Sequence, residues 1–383
     1  MNKECEVLLT ARLSLAELCG RKDFCKGHAL NNALRRDPAD VLATIYWCRK
    51  IQQQSGWKTP YAIGAVVTPN SYVKTDKPRV HRHPNQWSKY SKGKHRPSPA
   101  MLARTEAVYP GTSKEIEWTI WSVLKRMPET TAAIEIFKAK LPADVQSQML
   151  RAQKASAAGY LGVLRTVGRT LERVGNLDAL AALVLLLKSA ELEGRSEEAN
   201  QWVWHIYRCL FILSEHLLMG GIACPLFDLL EVRVLKGVSH EGWRYSFPSD
   251  LFLHIADAFA HRRSRLKEAP LSSLMVKKDA SRLQRILDGR AGWDSKFAFN
   301  PFKGPAARET VFTEATLRAC LETMCLFSWG WNMLASGGHP GMPPAKVWAG
   351  KDLWARSQPC APYSRDRESN TDLLSEGIDD HQD

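Results

Sequence analysis

Three times within its first hundred residues the chain sets a capping side chain directly before a proline: Asp37-Pro38, Thr59-Pro60 and Ser98-Pro99. An oxygen-bearing residue at the N-cap accepts from the orphan amides of a first turn, and a proline behind it has no amide to lose and a φ already suited to the helix. Each pair therefore predicts a helix start. Val41, Leu42, Ile45, Tyr46 and Cys48 follow the first pair at helical spacing, and Gly56 ends that helix. Tyr61, Ile63, Val66 and Val67 follow the second, up to Thr68-Pro69. Met101, Leu102, Thr105 and Val108 follow the third, up to Pro110-Gly111. Residues 85–94 read as a further short helix closed by Gly93, and Thr112 and Ser113 are expected to cap one carrying Ile116, Trp118, Ile120, Trp121 and Leu124.

Beyond Pro128 one helical pattern follows another, over residues 130–140, 143–155, 157–174, 177–193, 197–218, 225–236, 248–265, 271–289 and 311–334. Gly175-Asn176 and Gly194 supply C-terminal breaks. Residues 291–310 and 335–363 read as loops, and no fixed-period repeat emerges. The expected fold class is all-α, with a small N-terminal helical module over residues 37–127 and a larger helical bundle or short helical solenoid over residues 128–363. Residues 1–36 form an N-terminal extension without sustained periodicity, and the acidic, polar stretch 364–383 reads as a disordered tail.

Charge is concentrated rather than spread. The 53 Lys and Arg exceed the 40 Asp and Glu, for a net +13. Residues 49–104 hold 12 basic groups against one acid, Asp76, whereas residues 364–383 hold 2 basic groups against 7 acidic. A block as basic as 49–104 attracts a polyanion, through phosphate neutralisation and counterion release. The nine cysteines are odd in number, irregular in spacing and without a Cys-x2-Cys pair, which argues against structural zinc and a secreted disulfide framework and for reduced thiols in the cytoplasm. Glu4 and Glu6 with no long apolar core make a signal peptide unexpected. The longest apolar run, Ala179–Leu187, is nine residues, where a bilayer span needs about 20, so no membrane partner is expected.

Asn85–Tyr109, NQWSKYSKGKHRPSPAMLARTEAVY, carries the most specific pattern. Through Ser88, Lys89, Tyr90, Gly93, Lys94, Arg96, Pro97, Ser98 and Leu102 it resembles the second half of an Xre/Cro-type helix-turn-helix domain. Val41–Gln54 and Thr59–Val67 would match the first and second helices, so that the resemblance spans residues 38–110. The Trp, Tyr, Gly and Pro spacing and the Pro110-Gly111-Thr112 run are similar to the front end of a group of bacterial proteins. The resemblance implies a helix-turn-helix module, a DNA-binding role in transcription regulation, and a two-fold dimer if the target is palindromic. One departure is plain: the family joins its second and third helices by a tight turn, whereas Thr68–Pro84 intervenes here.

The residues themselves suit that chemistry. Asn85, Gln86 and Lys89 lie at the start of the short helix, where Asn and Gln match adenine edges and Lys donates to guanine. Trp87 and Tyr90, three apart, would anchor the helix. Lys92, Lys94, His95 and Arg96 follow where phosphate contacts set position without reading sequence. Lys74, Lys77, Arg79 and Arg82, with His81 and His83, would form a basic arm for a minor groove or phosphates.

Other constellations are weaker. His254, Asp257 and His261 fall at i, i+3 and i+7, on one face of a helix, where they would be able to hold a metal. Phe252, Ile255 and Phe259 occupy the other face, which marks the His and Asp side as the solvated one, so no metal is assigned. Arg262, Arg263, Arg265 and Lys267 extend that helix and suit its C-terminal dipole. No phosphate loop, dinucleotide fingerprint, nucleophile elbow or His-Glu-x-x-His motif is present, and no cofactor is expected. Three functional classes stand in order: a DNA-binding regulator with a helical body that senses or dimerises; a helical interaction or effector component of a bacterial defence or toxin system, whose basic module only docks on a partner, with the C-terminal helical domain as a further surface for a protein partner; and an enzyme with an unrecognised site, a nuclease around His254, Asp257 and His261 being one form of it.

Overall fold

The computed structural model describes residues 36–56, 59–69, 86–246, 252, 277–290, 292–299, 301–305 and 314–335, together with 342, 343 and 347. All three capping pairs open helices. The Asp37 carboxylate accepts from the Ala39 amide and starts α1, Pro38–Ser55, which Gly56 closes at φ 69°. Thr59 accepts from Ala62 and starts α2, Pro60–Val67. Helix α3, Gln86–Ser91, is only six residues long. Ser98 accepts from Met101 and starts α4, Pro99–Val108.

The helix expected after Ser113 is two helices, α5 (Lys114–Glu117) and α6 (Thr119–Lys125), broken at Trp118. Ser113 does not cap. Its amide and hydroxyl both donate to Glu106, at 2.8 Å each. Trp118 leaves the helical region at the break, with ψ 132°, and two indoles meet Glu115 there. The Trp118 indole donates to the Glu115 carboxylate at 2.8 Å and the Trp121 indole to the Glu115 carbonyl at 3.1 Å, so both aromatics turn toward one residue.

The body continues as α7 (Thr131–Lys138), α8 (Ala143–Ala157), α9 (Leu161–Val174), α10 (Leu177–Leu192), α11 (Ser196–Met219) and α12 (Ala223–Leu230), the last running into a π-helical turn, Glu231–Leu235. Helix α13 (Lys277–Leu287) and α14 (Trp293–Ala298) follow, then α15 (Glu314–Ala335). The fold is all-α, with one small exception among the described residues. Strand β1, Trp243–Ser246, pairs antiparallel with β2, Phe302–Pro305. Neither strand was expected, and the 291–310 segment read as a loop holds both α14 and β2. The pairing joins residues about sixty apart in sequence, which local periodicity does not register.

Helix α10 sits at the centre. Every residue from Leu177 to Leu187 is buried, and a helix apolar on all sides must be surrounded. It packs on α6, α7, α8, α9 and α11, so the body is a bundle around one helix rather than a linear stack. Its start is fixed by Gly175 in the left-handed region and by Asn176, whose side chain accepts from the Ala179 amide at 2.8 Å. No helix among the described residues is long and apolar enough to cross a membrane.

The apolar core runs without interruption from α1 into the bundle. Helix α1 also meets the body through polar contacts. The Arg233 guanidinium donates to both Asp37 oxygens at 3.1 and 3.2 Å and to the Leu124 carbonyl at 2.6 Å. Gln53 donates to the Met219 carbonyl at 2.7 Å.

Candidate nucleic-acid interface

Three aromatic rings decide where α3 lies. Trp87 stacks on Trp47 of α1 with centroids 5.6 Å apart and planes 16° apart. Tyr90 sets its edge against both, again at 5.6 Å. None of the three is more than 2% exposed. Aromatic pairs in such arrangements gain about 0.5–1.5 kcal/mol beyond the area they bury. This ring cluster compensates for a helix too short to be stable alone.

The segment leaves α3 through a Schellman motif. The Gly93 amide donates to the Tyr90 carbonyl at 2.9 Å and the Lys94 amide to the Lys89 carbonyl at 2.8 Å, with Gly93 at φ 66°. Gly93 also lies against α1: a Cβ there would stand 2.6 Å from Val41 Cγ1 and 3.1 Å from the Val41 carbonyl. Arg36 clamps the turn from the other side. It donates to the Gly93 carbonyl at 2.6 Å, the Asp40 carbonyl at 2.9 Å and Thr44 Oγ1 at 3.0 Å.

With the aromatic face inward, the cationic face is outward. Lys89, Lys92, Lys94, His95 and Arg96 are all exposed. Lys89, Lys92 and Lys94 make no ion pair among the described residues, and Arg96 has only a loose one, 3.7 Å from Asp40. The neighbouring acids are engaged elsewhere. Asp37 holds Arg233, Asp40 holds Lys125 at 2.5 Å, and Glu106 faces the 111–113 loop. There the Ser113 and Gly111 amides hold the Glu106 carboxyl below the usual carboxylate range. The result is a turn of positive charge in which Lys89, Lys92 and Lys94 meet no carboxylate among the described residues.

The structure thus brings Lys89, Lys92, Lys94 and Arg96 onto one short turn. Gln86 is exposed as expected, but its amide already donates to the Tyr90 hydroxyl at 2.5 Å, so its role is partly structural. Asn85, Lys74, Lys77, Arg79 and Arg82 lie outside the described residues, as do His254, Asp257 and His261. Among the described residues no group of three His, Cys, Asp or Glu side chains fits a metal ion. Cys48 and Cys209 are buried free thiols, and burial raises the Cys48 thiol to about 12, far from reactivity.

One constellation escaped the sequence reading. Glu172 of α9, buried completely, accepts from His205 Nδ1 at 2.7 Å and from Arg208 Nε at 2.9 Å, both on α11. Arg208 reaches on to Asp288 at 2.7 Å and lies 4.4 Å over the Trp204 ring. Gln284 of α13 donates to the second Glu172 oxygen at 2.8 Å. Burial pushes the Glu172 carboxyl up, but the Arg208 charge and the His205 hydrogen bond override it and hold the group at about 2. Burial holds the His205 imidazole below its ordinary value. The sequence signal was the set of polar residues, His205 and Arg208 among them, interrupting the apolar stretch Trp202–Met219. With Glu172 and His205 fully enclosed, the network cross-links three helices.

Comparison with protein-family models, with curated proteins and with solved structures finds no match to this chain.

Proposed function

We propose that this protein binds nucleic acid, double-stranded DNA foremost, with the turn from Lys89 to Arg96 as the phosphate-facing element. The observation that carries the reading is the combination on one short segment of buried rings and unpaired amines. Trp87 and Tyr90 fix the backbone, while Lys89, Lys92 and Lys94 stand exposed with no carboxylate partner among the described residues. An anchored backbone presents these amines to a phosphate backbone without the entropy cost of ordering a mobile loop. Residues 86–104 contribute five cations and no acid, which supports a steep electrostatic component.

The resemblance to Xre/Cro-type modules supports DNA as the polymer and a transcriptional regulator as the role, with two copies related by a two-fold axis on a palindromic site. The arrangement of α1, α2 and α3, each touching the other two, is compatible with that architecture. The helical body would then serve sensing or dimerisation.

The experiment is fluorescence anisotropy of a labelled duplex at two salt concentrations, with wild type and a Lys89→Glu, Lys92→Glu, Lys94→Glu triple variant. Each lost phosphate contact lowers the slope of log K against log salt by about 0.9, so the triple variant should lose about 2 to 3 of slope. Absence of binding at low salt, or a triple variant with the wild-type slope, removes the reading.

A further inference from the structure

Beside the lysine turn, a groove of about 560 Å³ opens between the start of α1, the Arg96 loop and the α6–α7 connection. Its size falls within the range that holds small organic ligands. We infer that it binds a small amphipathic anion, a molecule with an apolar body and one acidic head group.

The charge balance selects the sign of the ligand. Arg96, Lys125, Arg126 and Lys140 line the groove against two acids, Asp40 and Glu129. Asp40 is already held by Lys125 at 2.5 Å. Arg126 and Lys140 are exposed and make no ion pair among the described residues. Lys140 instead places its ammonium 5.5 Å from the Phe137 ring centroid, a contact it can keep while donating to an anion.

The apolar lining selects the body of the ligand. Trp121, Met127 and Phe137 contribute to the walls, and Ile136 stands at 63% exposure, the second most exposed large hydrophobic side chain among the described residues. A bare phosphate or a sugar-phosphate backbone would leave that surface wet. An aryl or alkyl acid would cover it, with its head group meeting Arg126 and Lys140. This occupant differs from the polyanion proposed for the lysine turn, and its test needs no nucleic acid.

Anilinonaphthalene sulfonate is a suitable probe, since it joins an aryl body to one anionic group. Titration of the full chain, followed by fluorescence and calorimetry, should give saturable binding at one site per chain. Losing a charge-assisted contact should weaken it about tenfold or more in Lys140→Glu and in Arg126→Glu. Ile136→Asp should weaken it as well, while Arg290→Glu, on an exposed turn outside the lining, should leave it unchanged. Phenylnaphthylamine, the same body without the sulfonate, should bind about tenfold or more weakly. All substituted side chains are exposed, and circular dichroism checks that each variant keeps its helicity. No saturable binding, equal binding by wild type and the charge-reversed variants, or equal affinity for the uncharged parent overturns the inference.

Discussion

The Asp37 carboxylate performs two tasks at once: it caps α1 through the Ala39 amide at 2.8 Å and grips the Arg233 guanidinium with both oxygens. Asn at this position keeps a capping oxygen and loses the charge pairing, whereas Ala loses both. The ion pair is partly solvated, so Asp37→Asn should cost less than about 1 kcal/mol. Asp37→Ala should cost about 1–3 kcal/mol, because the cap itself is lost as well. Urea unfolding of the two variants beside wild type reads the difference, and equal losses would show that the cap is not formed.

Trp87 packs against both Trp47 and Tyr90, and its removal opens a cavity where α3 meets α1. Trp87→Ala should destabilise the protein by about 3–5 kcal/mol. Trp87→Phe, which keeps a ring in the stack, should cost markedly less. Thermal unfolding checks the order. Under the proposed function both variants should also weaken duplex binding in that order, since the lysine turn takes its place from this ring.

Two glycines with nearly the same backbone make a controlled pair. Gly56 and Gly93 have φ of 69° and 66°, but only Gly93 has neighbours, with Val41 Cγ1 2.6 Å from where a Cβ would lie. Gly56→Ala should therefore cost the left-handed penalty alone, about 1 kcal/mol. Gly93→Ala should cost that penalty plus the displacement of Val41, about 1–3 kcal/mol more. Chemical denaturation of both variants is the measurement, and equal costs would contradict the close approach of the turn to α1.

Acid should weaken the protein in two steps of the same sign. The His205 imidazole is held below 6.5 in the folded state, so as pH falls through 6.5 the unfolded chain takes up a proton that the fold resists. The Glu172 carboxyl is held at about 2 against an ordinary 4.5. Its contribution is fully present above pH 4.5 and is lost as pH falls toward 2. Glu172→Gln should remove the second step and, by leaving Arg208 buried with one carboxylate fewer, cost about 3–5 kcal/mol at neutral pH. Stability measured between pH 7 and pH 3 tests both; a Glu172→Gln variant with an unaltered acid limb would refute the assignment.

What the sequence disclosed was local. Asp37-Pro38, Thr59-Pro60 and Ser98-Pro99 each state a helix start within two residues, and all three starts are where those pairs place them. The helix expected over residues 177–193 is α10, although its place at the centre of the bundle was not read from its apolar run. What it hid was non-local. The break at Trp118 coincides with Glu115 meeting two indoles, and the β1–β2 pair joins distant segments. The Glu172 network links residues 33, 36 and 112 positions apart. The exposure of Lys89, Lys92 and Lys94 followed from Trp87 and Tyr90 facing inward. That their neighbouring acids are occupied elsewhere did not, because Arg233 and Lys125 reach those acids from other parts of the chain.

Helix α1 is pinned near both ends, by Arg233 at Asp37 and by the Met219 carbonyl at Gln53. The shelf that carries the three lysines is therefore tied to the bundle at two points. Under the proposed function a duplex would meet a surface anchored at both ends of its supporting helix, so curvature for a longer footprint is expected from the polymer.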